Sequence, residues 1–239
     1  MEQVLSTTIE DSLAAASPAI RQIKTAKQMP LAEAAYLRMH EAIRDGVLKP
    51  GQRMMEQDLA KWLDMSRTPV RDALRRMETE GLLTHEPRLG LIITQYDRRA
   101  VVELYAIREV LEGTAAGFAA RHATEFEIAE LLQLAAEQQG LKDDVKGIAE
   151  NNRRFHRIIY QAAHNRFLVR SLDAVLVSMG LLWQGYANFM SENRVQASFR
   201  EHSALAKAIA SRNPEDADQA ARAHMRGSLQ ERLKRLPSE

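Results

Sequence analysis

The chain has 239 residues, 45% of them apolar and 27% charged, with no cysteine and a formal net charge of +1. That suffices for two modest domains with their own cores, and it excludes a disulfide framework and a thiolate metal site. No run approaches the roughly 18–20 apolar residues of a membrane span, and no basic-then-apolar leader opens the chain, so a cytoplasmic protein without membrane contact is expected.

Residues 1–29 are rich in Ser, Thr, Ala and Gln without strong periodicity and read as a flexible arm. Leu31–Asp45 reads as a helix with Ala35, Met39, Ala42 and Ile43 inward, and Lys49-Pro50-Gly51 as a turn. Arg53-Met54 suits a short strand. Glu56–Leu63 is a short helix with Leu59, Trp62 and Leu63 on one face, and Asp64-Met65 joins it tightly to the next.

That next helix, from Ser66 to Gly81, has explicit ends. Ser66 suits an N-cap, because its hydroxyl can accept a first-turn N–H. Pro69 falls in the first turn, where no intrahelical donor is lost. Gly81 suits the left-handed residue past the end. Val70, Ala73, Leu74 and Met77 form a buried stripe. Arg67, Arg71 and Arg75 recur beside it, roughly a third of a turn away at about 100° per residue. Residues 66–77 carry four Arg against one Asp, so the positive charge that the total lacks is focused here. Two short helices around a tight turn make a helix-turn-helix, whose second helix enters the major groove. Leu82–His85 and Leu91–Thr94 around Glu86-Pro87-Arg88-Leu89-Gly90 read as a hairpin, here a wing.

This stretch, with Gly46-Val47-Leu48-Lys49-Pro50-Gly51 upstream and Ser66-Arg67-Thr68-Pro69-Val70-Arg71-Asp72-Ala73-Leu74 at its centre, closely resembles the winged-helix domain of the GntR family of bacterial transcription regulators. The resemblance covers about residues 31–96. Double-stranded DNA is therefore the expected partner. Arg67 and Arg71 are expected to read bases, guanine above all, with Arg75 in the same row. Ser66 and Thr68 are expected on phosphates at the helix N-terminus. Arg88 and Gly90 belong to the wing, and Gln57 is expected on the DNA backbone.

Beyond a boundary at Tyr96-Asp97-Arg98 every segment reads helical. Ala100–His122 carries Val101, Leu104, Ile107, Val110 and Leu111 at helical spacing. Thr124-Glu125-Phe126-Glu127 is a capping box that opens a helix to about Gln139. Asp143–Ala163 follows, then Phe167–Phe189 behind an Asn165 cap, then Glu192–Ser211; Asn213-Pro214 opens the last helix, to about Leu236. Trp183, Tyr186 and Phe189 read as packing residues. The expected fold is mainly α: a winged helix-turn-helix domain over 30–96 and an antiparallel six-helix bundle over 97–239. Residues 101–239 hold 18 charges of each sign, a poor second surface for nucleic acid, so the bundle is expected to hold most of the contact of a dimer.

Asn152 and His156 lie four residues apart and share a helix face. His202 and His224 stand near the middle of the last two helices. Four metal-capable side chains from three helices can converge inside a bundle, although spacing alone equally suits satisfied or surface histidines. Here Leu104–Glu112, Asn152 with Phe155-His156, Ala163-His164-Asn165, Glu201-His202 and His224 resemble the six-helix ligand-binding domain, of FCD type, in the FadR subfamily. Many members of it bind a divalent metal through an Asp or Asn and three His, which implies Asn152, His156, His202 and His224 as ligands.

Imidazole-rich coordination favours zinc or nickel over magnesium or calcium. One amide oxygen and three neutral imidazoles leave the metal's charge uncompensated, so a small carboxylate effector is expected, with Arg108 as a further contact; Arg108 equally suits an ion pair with Glu112. Metal affinity should fall as pH drops through the histidine range, near pH 6. Three functions then compete. The first is a metabolite-responsive regulator, homodimeric on a pseudo-palindromic operator. The second is a metal-dependent enzyme with a three-His site. The third is a pure metal sensor. An enzyme would leave residues 31–96 unexplained, and no acid beside the histidines stands out as a general base.

Overall fold

The computed structural model describes residues 29–141, 144–182 and 192–236. The flexible arm expected over 1–29, all but its last residue, lies outside the described residues, as do Asp143 and the packing residues Trp183, Tyr186 and Phe189. The described chain divides into two compact units, one of residues 29–95 and 177–182 and the other of residues 96–176 and 192–236.

The first unit is built from α1 (Leu31–Arg44), α2 (Glu56–Leu63), α3 (Arg67–Thr79) and the antiparallel pair β1 (Leu83–Glu86) and β2 (Gly90–Ile93). α1 buries Ala35, Met39, Ala42 and Ile43, α3 buries Val70, Ala73, Leu74 and Met77, and the two helices pack together. α2 ends at Asp64 in the left-handed conformation, and this single residue makes the sharp turn into α3. Ser66 occupies the N-cap of α3 with an extended backbone, but its hydroxyl makes no capping hydrogen bond, contrary to the expectation. Gly81, at φ +78°, closes the C-terminal end: the Leu82 N–H donates back to the Met77 carbonyl at 2.9 Å.

The wing register pairs Leu83 with Ile93 and Glu86 with Gly90, leaving Pro87, Arg88 and Leu89 at the tip. Arg53 pairs with Ile92 as an isolated bridge, so the strand read at Arg53-Met54 shrinks to one residue.

Six helices among the described residues follow, α4 (Arg98–His122), α5 (Glu125–Leu141), α6 (Val145–Ala162), α7 (Arg166–Leu182), α8 (Glu192–Ala210) and α9 (Pro214–Leu233), the second unit taking α7 as far as residue 176. The capping signals hold. Thr124 and Glu127 exchange the two bonds of a capping box, at 3.2 and 2.7 Å. The Asn165 side chain accepts from Phe167 and Leu168, and Asn213 caps α9 ahead of Pro214. α4 presents Gly113, Ala116, Gly117 and Ala120 toward α9. A Cβ on Gly113 would come within 2.6 Å of the Asp218 carboxylate and 2.8 Å of the Arg222 side chain, so that ion pair would have to shift to admit one.

The apolar series on α4 is split: Val101 is buried and Leu111 packs against the core, but two of its members lie outward. On α4, Ile107 and Val110 are about half exposed (46% and 47%), whereas Arg108 and Glu112 are buried at 4% and 2%. The pair neutralises itself across one helical turn at 2.8 Å, which removes most of the penalty that keeps lone charges at surfaces.

Candidate DNA interface and candidate metal centre

The row expected to face DNA is solvent-facing. Ser66, Arg67, Thr68, Arg71 and Arg75 on α3, Gln57 on α2 and Arg88 at the wing tip are exposed, and Gly90 is partly so. Arg88 holds φ +71° and Gly90 φ +78°, which turns the wing tightly. The four arginines of α3 are not equivalent. Arg76 is tied back to the domain body: it bonds Glu80 at 2.9 Å and Glu33 at 2.5 Å and lies over the Tyr36 ring at 3.8 Å. Arg67 and Arg71 both reach Glu56, at the start of α2. The Arg75 side chain makes no ion pair among the described residues. Sequence spacing found the arginine row and missed Glu56, which lies 15 residues from Arg71 on the preceding helix.

In the second unit, α6, α8 and α9 bring His156, His202 and His224 together, all buried at 5% or less. Their ligand atoms lie within 4.8 Å of one another. The Nε2 atoms of His202 and His224 are 3.1 Å apart. The Nε2 of His156 is buried and has no hydrogen-bond partner among the described residues.

The outer nitrogens are all held. Glu112 takes Nδ1 of His156 at 3.0 Å, and Glu201 takes Nδ1 of His224 at 2.6 Å. Nδ1 of His202 faces the Gln138 amide, with the nitrogen at 2.8 Å and the oxygen at 3.1 Å. A carboxylate on Nδ1, as at His156 and His224, fixes that ring's proton there and turns the Nε2 lone pair inward. Each of these partners is itself anchored. Glu112 accepts from Arg108 at 2.8 Å and from the Tyr160 hydroxyl at 2.7 Å. Glu201 makes a two-pronged pair with Arg194, both bonds at 2.7 Å. Gln138 donates to Asn151 at 2.7 Å.

These contacts tune the charges. Burial lowers His202 well below the usual histidine range, and lowers His224 to about 4 despite the opposing Glu201. Burial alone would raise both carboxyls. Instead His156 and Arg108 hold Glu112 well below its ordinary value, and bonds from His224 and Arg194 bring Glu201 to about 2. His202 and His224 therefore present neutral imidazole, the form that ligates metal.

Two lone pairs 3.1 Å apart repel unless a proton or a cation lies between them. With Gln138 donating to Nδ1, His202 carries its proton on Nε2 and shares it with His224. With the Gln138 oxygen accepting from Nδ1, both Nε2 atoms are free for one cation. Zn–N bonds of about 2.0–2.1 Å place two nitrogens about 3.3 Å apart on a tetrahedral ion, close to the spacing present. The donor set fits a divalent metal of the zinc or nickel type.

Asn152 stands one turn before His156 and is half-buried. Its neighbour Asn151 is the buried one, and it orients Gln138. Arg108, expected to touch an effector, is occupied with Glu112. Gln138, Asn151, Tyr160 and Arg194 carried no sequence signal, because each acts through a partner on another helix or several turns away. Glu112 and Glu201 were visible only as neighbours of residues already chosen.

The comparisons with known proteins match both units. Residues 31–93 match the model of "Bacterial regulatory proteins, gntR family" and residues 103–227 that of the FCD domain. YdhC of Bacillus subtilis, an HTH-type transcriptional regulator, is 31% identical over 79% of this chain and 85% of its own. The HTH-type transcriptional regulator McbR of Escherichia coli is 32% identical over 66% of this chain and 70% of its own. The solved structure of E. coli McbR/YncC shares the fold, with a TM-score of 0.74 and 23% identity over 87% of this chain and 99% of that one. A GntR regulator structure from Rhodococcus sp. RHA1 gives a TM-score of 0.69 at 23% identity, over 86% of this chain and 99% of that one.

Proposed function

Because the chain belongs to the GntR family of transcriptional regulators and carries an FCD domain, we propose that it is a metabolite-responsive DNA-binding regulator rather than an enzyme, with a metal-assisted effector site in its helical domain. The observation that carries the effector reading is the inward convergence of three Nε2 atoms whose outer nitrogens are all tied. His156, His202 and His224 would hold one divalent cation, with Asn152 as a further ligand. Bound there, the metal would supply a Lewis-acidic, positively charged anchor for an anion.

The charge balance supports a carboxylate as that anion. Glu112 is paired with Arg108 and Glu201 with Arg194, so neither carboxylate is left over to neutralise a dication. The same pairing makes Arg108 a positioning residue for His156, through Glu112.

Two copies related by a two-fold axis would present two reading helices to a pseudo-palindromic operator. The exposed apolar residues Val102, Ile107 and Val110 on α4 suit the contact between copies. Effector binding alters DNA affinity only if it favours one arrangement of the copies over another.

The test is operator binding by the full chain, measured with and without a chelator and across a panel of small carboxylates. A carboxylate whose effect on DNA affinity disappears with the metal supports the reading. Metal alone shifting DNA affinity, with no carboxylate effect, identifies a metal sensor. No response to either refutes the effector site.

A further inference from the structure

Glu56 stands against both arginines assigned to base reading. Its Oε1 accepts from Nε of Arg67 at 2.8 Å and from a terminal nitrogen of Arg71 at 3.0 Å, and its Oε2 accepts from Nε of Arg71 at 2.9 Å. We propose that Glu56 is a positioning residue for base reading, which holds Arg67 and Arg71 by their Nε edges so that both guanidinium ends meet the major groove preset. The inference rests on the DNA-reading function above.

Stability does not account for this contact. The side chains of Arg67 and Arg71 are 63% and 50% exposed, and solvent-exposed pairs of this kind add little to stability. The donor count does point to reading. A guanidinium has five N–H groups; one of Arg67 and two of Arg71 go to Glu56. Each arginine keeps terminal N–H groups for the two-pronged contact with guanine O6 and N7. An unrestrained arginine has many rotamers to lose on binding, and ordering it beforehand lowers that cost.

The carboxylate also has a second effect. A negative charge beside the helix opposes contacts made to phosphates alone, so binding is favoured where bases reward both arginines. Affinity for arbitrary DNA falls, and the ratio of specific to non-specific binding rises.

The experiment is selection from a randomised duplex library by the full-length protein, with bound DNA sequenced, for wild type, Glu56→Ala and Glu56→Gln. The selected duplex and an unselected duplex of equal length are then titrated with each protein. Wild type should select a guanine-containing motif. Glu56→Ala should weaken that motif at the guanine positions, lower the selected-to-unselected affinity ratio about tenfold or more, and bind the unselected duplex more tightly, since one well-made base contact is worth about 1–3 kcal/mol. Glu56→Gln, which keeps an acceptor oxygen without the charge, should fall between the two. Arg71→Ala in the Glu56→Ala background should cost less specificity than in wild type. An unchanged ratio overturns the inference, whether both affinities rise together, as removal of a charge alone would cause, or fall together, as misfolding would. If wild type selects no motif, the DNA-reading function fails and the inference with it; if wild type selects one and Glu56→Ala matches it, the inference alone fails.

Discussion

Replacing His202 with asparagine separates the metal site from the packing around it. Asparagine places its amide near where Nδ1 of the imidazole sits, so the contact with Gln138 at 2.8 Å can be kept while the inward Nε2 is removed. What is lost in the metal-free protein is the stack on Phe155, at 4.3 Å between ring centres, worth about 1 kcal/mol, and the pairing with His224. His202→Asn should therefore fold, destabilised by about 1–2 kcal/mol. With metal the difference grows. At 100 times its Kd, a metal that binds only the native state adds about 2.7 kcal/mol. At about 2–4 °C per kcal/mol for a chain of this size, that is a Tm rise of roughly 5–11 °C. If losing a ligand weakens binding at least about 100-fold, the upper range seen for outer-shell losses, the same metal concentration adds only about 0.4 kcal/mol to the variant, or about 1–2 °C. Differential scanning calorimetry with and without zinc or nickel, paired with metal content by mass spectrometry, reads both numbers. A variant with the wild-type metal-induced rise and full metal content would refute the three-histidine site.

The other predictions follow from the same contacts. Arg71→Ala should weaken operator binding by about 1–3 kcal/mol and relax base preference at one position, read by titrating single-base operator variants. Glu201→Gln should lower metal affinity about 10–100-fold by competition with a chromophoric chelator, because His224 loses the carboxylate that orients it at 2.6 Å. The metal-free protein should lose stability below pH 6.5. His224 binds protons in the unfolded chain near 6.5 but in the fold only near about 4, so its contribution is complete above 6.5 and declines toward 4. At pH 5 that amounts to about 2 kcal/mol, measurable by urea denaturation in chelator, with a further loss between about pH 4.5 and 2 as Glu201 protonates. Ile107→Asp with Val110→Asp should convert a sedimenting dimer of the full chain to monomer, since both residues are about half exposed on α4.

The sequence determined whatever is encoded within a few residues. The left-handed glycine after α3, the capping box at Thr124 and Glu127, the Asn165 and Asn213 caps and the three-residue wing tip are local arrangements, and their residue types admit few conformations. The arginine row and the i, i+4 spacing of Asn152 and His156 follow from helical geometry in the same way. Tertiary structure decided which polar groups could be buried. The apolar series on α4 runs through Ile107 and Val110, but the core beside them is filled by Arg108 and Glu112, a charged pair that burial tolerates only because Tyr160 and His156, 48 and 44 residues from Glu112, complete its hydrogen bonds. Gln138 and His202 are 64 residues apart, and Glu201 and His224 are 23. These pairs exist only once helices that are distant in sequence have packed, and packing is driven by apolar area without direction. That is why the chain's pattern, with its family resemblance, singles out the candidate histidines and leaves the groups that orient them to the fold.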